Sequence, residues 1–119
     1  MVCPQDEGLN KLGLYIDKFL IKSRAVLLTH AHTDHLKGLN NDYVKKHNAK
    51  IFCTKITRDL TMMYRTNITT DIFHVVEMNE PFYPLPGITV WPIPAYHCDG
   101  SLMFLIRIDK EDRRILYTG

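Results

Sequence analysis

The chain carries Thr29-His30-Ala31-His32-Thr33-Asp34-His35-Leu36 directly after the apolar run Ala25-Val26-Leu27-Leu28. The apolar run has the length and composition of a buried β-strand. Three histidines and one aspartate follow it within six positions, in the pattern H-x-H-x-D-H. In an extended segment His30 and His32 point to the same side, because side chains alternate along a strand. The spacing therefore predicts metal ligands at the end of a strand, and a solvated polar loop is the alternative interpretation.

Length and composition indicate one small folded domain. At 119 residues with 45% apolar side chains the chain can bury a core, so disorder is not expected. A formal net charge of +2 is too small to identify nucleic acid as a partner by itself. Cys3, Cys53 and Cys98 are spread too widely for a zinc finger and indicate a reducing, intracellular compartment. Every apolar run is far shorter than the ~20 residues that cross a bilayer, so we expect no membrane partner.

The remaining pattern predicts a mixed α/β fold in which strands dominate. Runs with strand composition occupy residues 14–16, 25–29, 51–53, 73–78, 88–93, 101–108 and 114–117. A turn through residues 109–112 joins the last two strands into a predicted hairpin. Thr54 is a candidate N-cap for a helix that carries Ile56, Leu60 and Met63 on one apolar face, and Met62 and Met63 are expected to fill the core. Residues 1–12 receive no firm prediction, and the proline-rich segment 81–87 predicts a connector.

A second polar loop, Ala95-Tyr96-His97-Cys98-Asp99-Gly100-Ser101, lies between two of the predicted strands. Loops between strands are where α/β proteins commonly carry functional residues. A single loop histidine is usually a surface group, and His97 is singled out by its place on this strand-to-strand turn. His47 and His74, which lie in a polar segment and a predicted strand, are interpreted as structural.

Together these motifs resemble the metallo-β-lactamase-fold hydrolases. The histidine motif after an apolar strand, followed by a later loop histidine, is the pattern of that family. Residues 51–54 before a helix, residues 97–101 before an apolar strand, and residues 115–119 look like its DNA cross-link repair branch, the Artemis and Apollo group, which carries a β-CASP insertion. The resemblance runs from about Leu14 to Gly119. It implies an αββα sandwich, of which this chain would form the N-terminal half.

The resemblance also implies a metal site with one or two zinc ions. His30, His32 and His97 would supply three imidazoles to a first ion, which suits zinc because its catalytic sites use three protein ligands and keep one position open. Asp34 and His35 would contribute to a second ion. Asp34 is also expected to orient the attacking nucleophile, and so to act as the catalytic residue.

Four further residues have expected roles around these ligands. Asp17 matches the opening aspartate of the group and is expected to fix a ligand by hydrogen bonding rather than to bind metal. Cys98, Gly100 and Ser101 form the motif loop around His97. Cys98 is interpreted as a packed loop cysteine rather than a ligand or nucleophile, because similar members of the family use the histidine. Asp99 stands where the family usually has proline.

The expected domain organisation follows from the same resemblance. In the family the Thr-Gly that corresponds to Thr118-Gly119 is followed by an aspartate that bridges two metals, and the β-CASP insertion comes later. Residues 1–119 are therefore expected to be an incomplete metallo-β-lactamase domain that lacks the insertion and is inactive alone.

The expected function is that of a metal-dependent nuclease that hydrolyses DNA phosphodiester bonds. The resemblance implies a 5′-to-3′ exonuclease or structure-specific endonuclease acting on single-stranded DNA or DNA ends, in the nucleus, during cross-link repair, double-strand break repair or telomere protection. An RNA-processing β-CASP nuclease is one alternative, against which the residue 97–101 loop argues. A truncated, non-catalytic remnant is the other. No protein partner is predicted.

Overall fold

Seven strands and two helices make up the described part of the chain. A computed structural model describes residues 7–19, 24–31, 39, 50–64, 70–95 and 101–118. The helices are α1 (Glu7–Leu12) and α2 (Lys55–Tyr64), and short 3₁₀ turns cover Thr70–Ile72 and Asp109–Glu111. The strands are β1 (Leu14–Ile16), β2 (Ala25–Leu27), β3 (Lys50–Cys53), β4 (Phe73–Val75), β5 (Ile88–Pro94), β6 (Leu102–Ile108) and β7 (Arg113–Tyr117). None of the helices in these ranges is long and apolar enough to cross a membrane.

The first four strands form a parallel sheet in the order β1-β2-β3-β4. Every residue of β1 and β2 and residues 51–53 of β3 are apolar and buried, as expected for strands in the interior of a parallel sheet. Val26 is paired with Tyr15 of β1 on one side and with Ile51 of β3 on the other. Since the strands are parallel, all four end at the same edge of the sheet.

The last three strands form an antiparallel sheet in the order β5-β6-β7. Along β6 buried and half-buried side chains alternate, as expected for a strand with one face toward the core. The predicted β6–β7 hairpin is confirmed, with Ile106 opposite Ile115. β5 lies at an edge of this sheet, and it contains Pro92 and Pro94, which an edge strand tolerates because its outer side needs no N–H donor.

The two sheets pack face to face around the main hydrophobic core. Leu14, Ile16 and Leu27 of the parallel sheet share one buried cluster with Val90 and Phe104 of the antiparallel sheet. The opposite face of the parallel sheet carries a second cluster, against which Met62 of α2 packs. The described chain is thus layered as helix, parallel sheet and antiparallel sheet, which agrees with the predicted mixed α/β sandwich.

Helix α2 begins as predicted but presents a different face to the sheet. Thr54 caps it, because its hydroxyl accepts a hydrogen bond from the Thr57 N–H at 3.2 Å. The buried residues of the helix are Thr57 and Thr61, whereas Ile56 is 47% and Met63 76% exposed. The expectation that Met63 fills the core is therefore wrong, although Met62 does pack there. Small threonines let the helix approach the sheet closely, and the Thr61 hydroxyl is satisfied by donating to the Thr57 carbonyl at 2.7 Å.

Two other elements differ from the sequence expectations. Residues 7–12, which received no firm prediction, form α1, and Leu9 on this helix is buried in the inter-sheet core. Strand β4 ends at Val75, three residues earlier than predicted. Just beyond it the chain turns away, and Asn79 adopts a left-handed backbone conformation with φ 65°.

Candidate metal centre

The candidate site lies at the edge where the parallel strands end. Asp17 directly follows β1, and Thr29 and His30 follow β2, the neighbouring strand. The Asp17 N–H donates to the Leu27 carbonyl at 2.9 Å, so the hydrogen bonding between β1 and β2 continues as far as Asp17. In α/β proteins ligands bind beyond the carboxyl ends of such strands. The strand that precedes the histidine motif therefore delivers His30 to the expected edge.

Asp17, Thr29 and His30 form a continuous chain of hydrogen bonds. The Thr29 N–H donates to Asp17 Oδ1 at 2.8 Å, and the Thr29 hydroxyl donates to Asp17 Oδ2 at 2.6 Å. The same hydroxyl lies 2.8 Å from Nδ1 of His30. Thr29 is 1% and His30 6% exposed, so these polar groups are held in an almost water-free environment.

The backbone of Asp17 is itself unusual. Its φ of 55° lies in the left-handed region, which aspartate tolerates better than most residues but which still costs free energy. Such conformations persist where the surrounding structure fixes them, and they concentrate at functional sites. Here the conformation coincides with a carboxylate that holds both donors of Thr29.

A backbone hydrogen bond joins the end of β2 to the start of β6. The Leu102 N–H donates to the Thr29 carbonyl at 2.9 Å, and the Ala95 N–H donates to the Ser101 carbonyl at 3.1 Å. Ala95 and Ser101 flank the loop that contains His97. The two ends of that loop therefore lie next to Thr29, one residue from His30. The two motifs are more than sixty positions apart in the sequence.

The structure describes three of the nine residues predicted for the site. His30 and Ser101 are buried, and Asp17 is half-buried. The other six lie outside the described residues: His32, Asp34, His35, His97, Cys98 and Gly100. Within the described ranges no three His, Cys, Asp or Glu side chains form a group that could hold a metal ion. The predicted ligand set accordingly stays a prediction.

What is described of the donor set fits a zinc site. Ligand histidines in metal sites commonly use their second ring nitrogen in a hydrogen bond that orients the ring. His30 has this arrangement at one ring nitrogen, because its Nδ1 lies at hydrogen-bond distance from the Thr29 hydroxyl. Thr29 was not singled out from the sequence. The available signal was a hydroxyl residue directly before the first histidine of the motif.

Cys53, at the end of β3, is a buried thiol without a chemical role in the described structure. Burial raises its pKa to about 12, and the nearby Arg58 charge offsets only part of this effect. At pH 8 the Cys53 thiol is therefore protonated, and only the thiolate is a good nucleophile. We expect iodoacetamide at pH 8 to leave Cys53 unmodified in folded protein and to alkylate it in urea. Peptide mass spectrometry measures this, and rapid alkylation without urea would contradict the buried position.

His74 is described on β4, away from the strand-end site. Its ring stacks on the Phe52 ring with centroids 5.2 Å apart, and burial, with a smaller contribution from Lys50, lowers its pKa. Phe52 in turn stacks on Phe82, also at 5.2 Å. His74 is exposed on β4 and makes this ring contact at the surface, and its interpretation as structural stays a prediction.

The chain belongs to the beta-lactamase superfamily, since the model of the beta-lactamase superfamily domain matches residues 16–119. Among curated proteins, it is 33% identical over 97 residues to the DNA cross-link repair protein pso2/snm1 of Schizosaccharomyces pombe, covering 80% of this chain and 16% of that protein. It is 31% identical to Protein artemis of Gallus gallus over 127 residues, covering 89% and 17% of the two chains. The resemblance to the DNA cross-link repair branch is thereby confirmed. The chain spans less than a fifth of the length of these relatives.

Solved structures confirm the fold. A metallo-β-lactamase from Cronobacter sakazakii superposes with a TM-score of 0.64 at 15% identity, over 82% of this chain and 42% of that one. Zn²⁺-bound PqqB from Methylobacterium extorquens superposes with a TM-score of 0.54 at 17% identity, over 80% and 33% of the two chains. At these identities the likeness establishes the shared metallo-β-lactamase fold.

Proposed function

We propose that this chain is part of a zinc-dependent nuclease that hydrolyses DNA phosphodiester bonds in DNA repair, in the nucleus. The observation that carries the proposal is the Leu102–Thr29 backbone hydrogen bond, because it ties Leu102, which closely follows the His97 loop, to the residue directly before His30. The identity to the DNA cross-link repair protein pso2/snm1 supports DNA as the substrate. Single-stranded DNA or DNA ends, cut by a 5′-to-3′ exonuclease or a structure-specific endonuclease, are the proposed targets.

Five residues are proposed to hold one or two zinc ions. His30, His32 and His97 are assigned to the first ion, and Asp34 and His35 contribute to the second. Three imidazoles satisfy the usual requirement of a catalytic zinc site. The described geometry supports this assignment at His30, whose ring is buried and hydrogen-bonded through Nδ1.

The residues of the site have different proposed roles in phosphodiester hydrolysis. When bound, zinc supplies a Lewis acid that lowers the pKa of water toward neutrality and offsets the charge of the phosphodiester. Asp34 is proposed to orient the attacking nucleophile. Asp17 does not bind metal in this proposal, and its carboxylate holds the backbone and side chain of Thr29 in front of His30. The buried strand ends beneath the site keep these groups in fixed positions.

Hydrolysis of nucleic acid tests the proposed activity. We expect the native-length protein to degrade a 5′-phosphorylated single-stranded DNA oligonucleotide, and a chelator to stop the reaction, because the ligands alone supply no Lewis acid. Gel electrophoresis of a 3′-labelled oligonucleotide measures the products. An RNA oligonucleotide of the same sequence is the control. Cleavage of RNA with DNA left intact would favour the RNA-processing alternative, and cleavage of neither would contradict the proposed activity.

The 119-residue chain by itself is proposed to be inactive in the same assay. Within this sequence the second ion has only Asp34 and His35 assigned to it, fewer ligands than a stable divalent site uses. Chelator-sensitive cleavage by the 119-residue chain would overturn this part of the proposal and show that its own residues suffice.

A further inference from the structure

The hydroxyl of Thr29 has two close polar neighbours. It lies between the carboxylate of Asp17, at 2.6 Å, and the ring of His30, at 2.8 Å from Nδ1. A hydroxyl carries one hydrogen, so it can donate to only one of these two neighbours. Because an ionised carboxylate has no hydrogen to donate, the Asp17 contact takes the Thr29 hydrogen.

The direction of the second hydrogen bond follows from the first. With its hydrogen directed at Asp17, the Thr29 oxygen can only accept, and Nδ1 of His30 must carry the hydrogen that it donates. A neutral imidazole has one N–H, so the lone pair of the ring is then on Nε2. A metal ion binds that lone pair. The hydrogen-bond chain therefore selects the tautomer of His30.

We propose that Thr29 is a positioning residue that holds His30 in the Nδ1–H tautomer, and that Asp17 acts on the metal site through the Thr29 hydroxyl. This inference rests on His30 being a zinc ligand, as proposed above. It explains why Asp17 adopts a left-handed backbone conformation, since that conformation brings both carboxylate oxygens to the N–H and hydroxyl of Thr29. Because Thr29 and His30 are buried, water does not compete for the hydrogen bonds between them.

The geometry gives a sharp expectation for the substitution Asp17→Asn. The amide oxygen must stay on the Thr29 N–H, so the amide NH₂ takes the place of Oδ2 and donates to the Thr29 hydroxyl. The Thr29 hydrogen then turns to Nδ1 of His30, which reverses the tautomer and puts the hydrogen on Nε2. Outer-sphere changes of this kind lower metal affinity by about 10- to 100-fold. We therefore expect Asp17→Asn to weaken zinc binding to this extent without removing any ligand.

The tautomer is measured by ¹⁵N NMR of the histidine rings in the zinc-free 119-residue chain, with His30→Gln used to assign the His30 signals. We expect the Nδ1–H form in the wild type and in Thr29→Ser, which keeps the hydroxyl. We expect the Nε2–H form in Asp17→Asn. In Thr29→Val, which has a similar shape and no hydroxyl, both tautomers should appear.

A double substitution distinguishes the proposed action of Asp17 through Thr29 from a merely structural role of Asp17. If Asp17 acts through Thr29, Asp17→Asn should change neither the tautomer nor zinc affinity once Thr29→Val is present. Zinc affinity is measured by competition with a chromogenic chelator, and circular dichroism checks that each variant is folded. A wild-type Nε2–H tautomer, or an equal effect of Asp17→Asn in both backgrounds, would overturn the proposal. Failure of DNA hydrolysis with the expected tautomers would instead contradict the proposed function alone.

Discussion

Replacing Asp34 by alanine in the native-length protein should lower the rate of DNA hydrolysis by about 10³-fold or more. The substitution removes both a proposed zinc ligand and the group proposed to orient the nucleophile, so two contributions to the reaction are lost together. The rate is measured under single-turnover conditions with the 5′-phosphorylated single-stranded oligonucleotide and saturating zinc. The unfolding transition measured in parallel should change little, since the proposal gives Asp34 no packing role.

The matched control for this experiment is Asp59→Ala. Asp59 is exposed on α2, where it pairs with Arg58 at 3.1 Å, so the substitution removes one surface carboxylate that has no role in the proposed site. It should leave the rate within about twofold, because exposed ion pairs contribute little. Equal rates for Asp34→Ala and the wild type would remove Asp34 from the proposed catalytic set.

Replacing Phe104 by alanine should lower the free energy of unfolding of the chain by about 3–5 kcal/mol. Phe104 lies in the middle of β6, is 0% exposed, and belongs to the cluster that fills the space between the two sheets. Truncating it removes apolar burial and leaves a cavity that rigid strands fill poorly. Urea denaturation followed by the fluorescence of Trp91 measures the change.

Leu116→Ala is the control for the Phe104 experiment. Leu116 is on the neighbouring strand β7 but is 55% exposed on the outer face of the same sheet. It should cost less than about 1 kcal/mol, because little apolar area leaves the core. If the two substitutions cost the same, the face-to-face packing of the sheets would be wrong.

The strands were predictable because strands that are buried in the core consist mainly of apolar residues. The apolar run at residues 25–28 marks β2, a central strand of a parallel sheet, and the mostly apolar run at residues 102–108 marks β6. The hairpin after β6 followed from a short polar turn between two such runs. In these segments the structure that the local sequence favours is the one observed in the fold.

The face of α2 that packs on the sheet could not be predicted from such local patterns. The spacing of Ile56 and Met63 correctly indicates a helix, but spacing says nothing about which side meets the sheet. Close packing favoured the small side chains of Thr57 and Thr61, and the hydroxyl of Thr61 could be satisfied by the helix backbone. Helix α1 was missed for a related reason, since Leu9, the one buried residue among residues 8–12, is buried by a tertiary contact.

The sequence predicts the candidate site as a set of residues, six of which lie outside the described structure, but it does not predict the hydrogen-bond network around His30. Asp17 was expected to act by hydrogen bonding to a ligand, and the structure shows that Thr29 stands between it and His30. The intermediate hydroxyl depends on how two neighbouring strands end, which no sequence motif records. The Leu102–Thr29 hydrogen bond that joins the two motif segments is likewise a product of tertiary structure.

Anomalous diffraction from crystals of the zinc-loaded protein, recorded at the zinc absorption edge, tests whether the two motifs form one metal site. We predict a zinc ion with ring nitrogens of His30, His32 and His97 at ~2.1 Å. The Nε2 atom should be the ligand on His30. A zinc ion bound by His30 while His97 lies elsewhere, or zinc bound only away from these three histidines, would contradict the proposed centre.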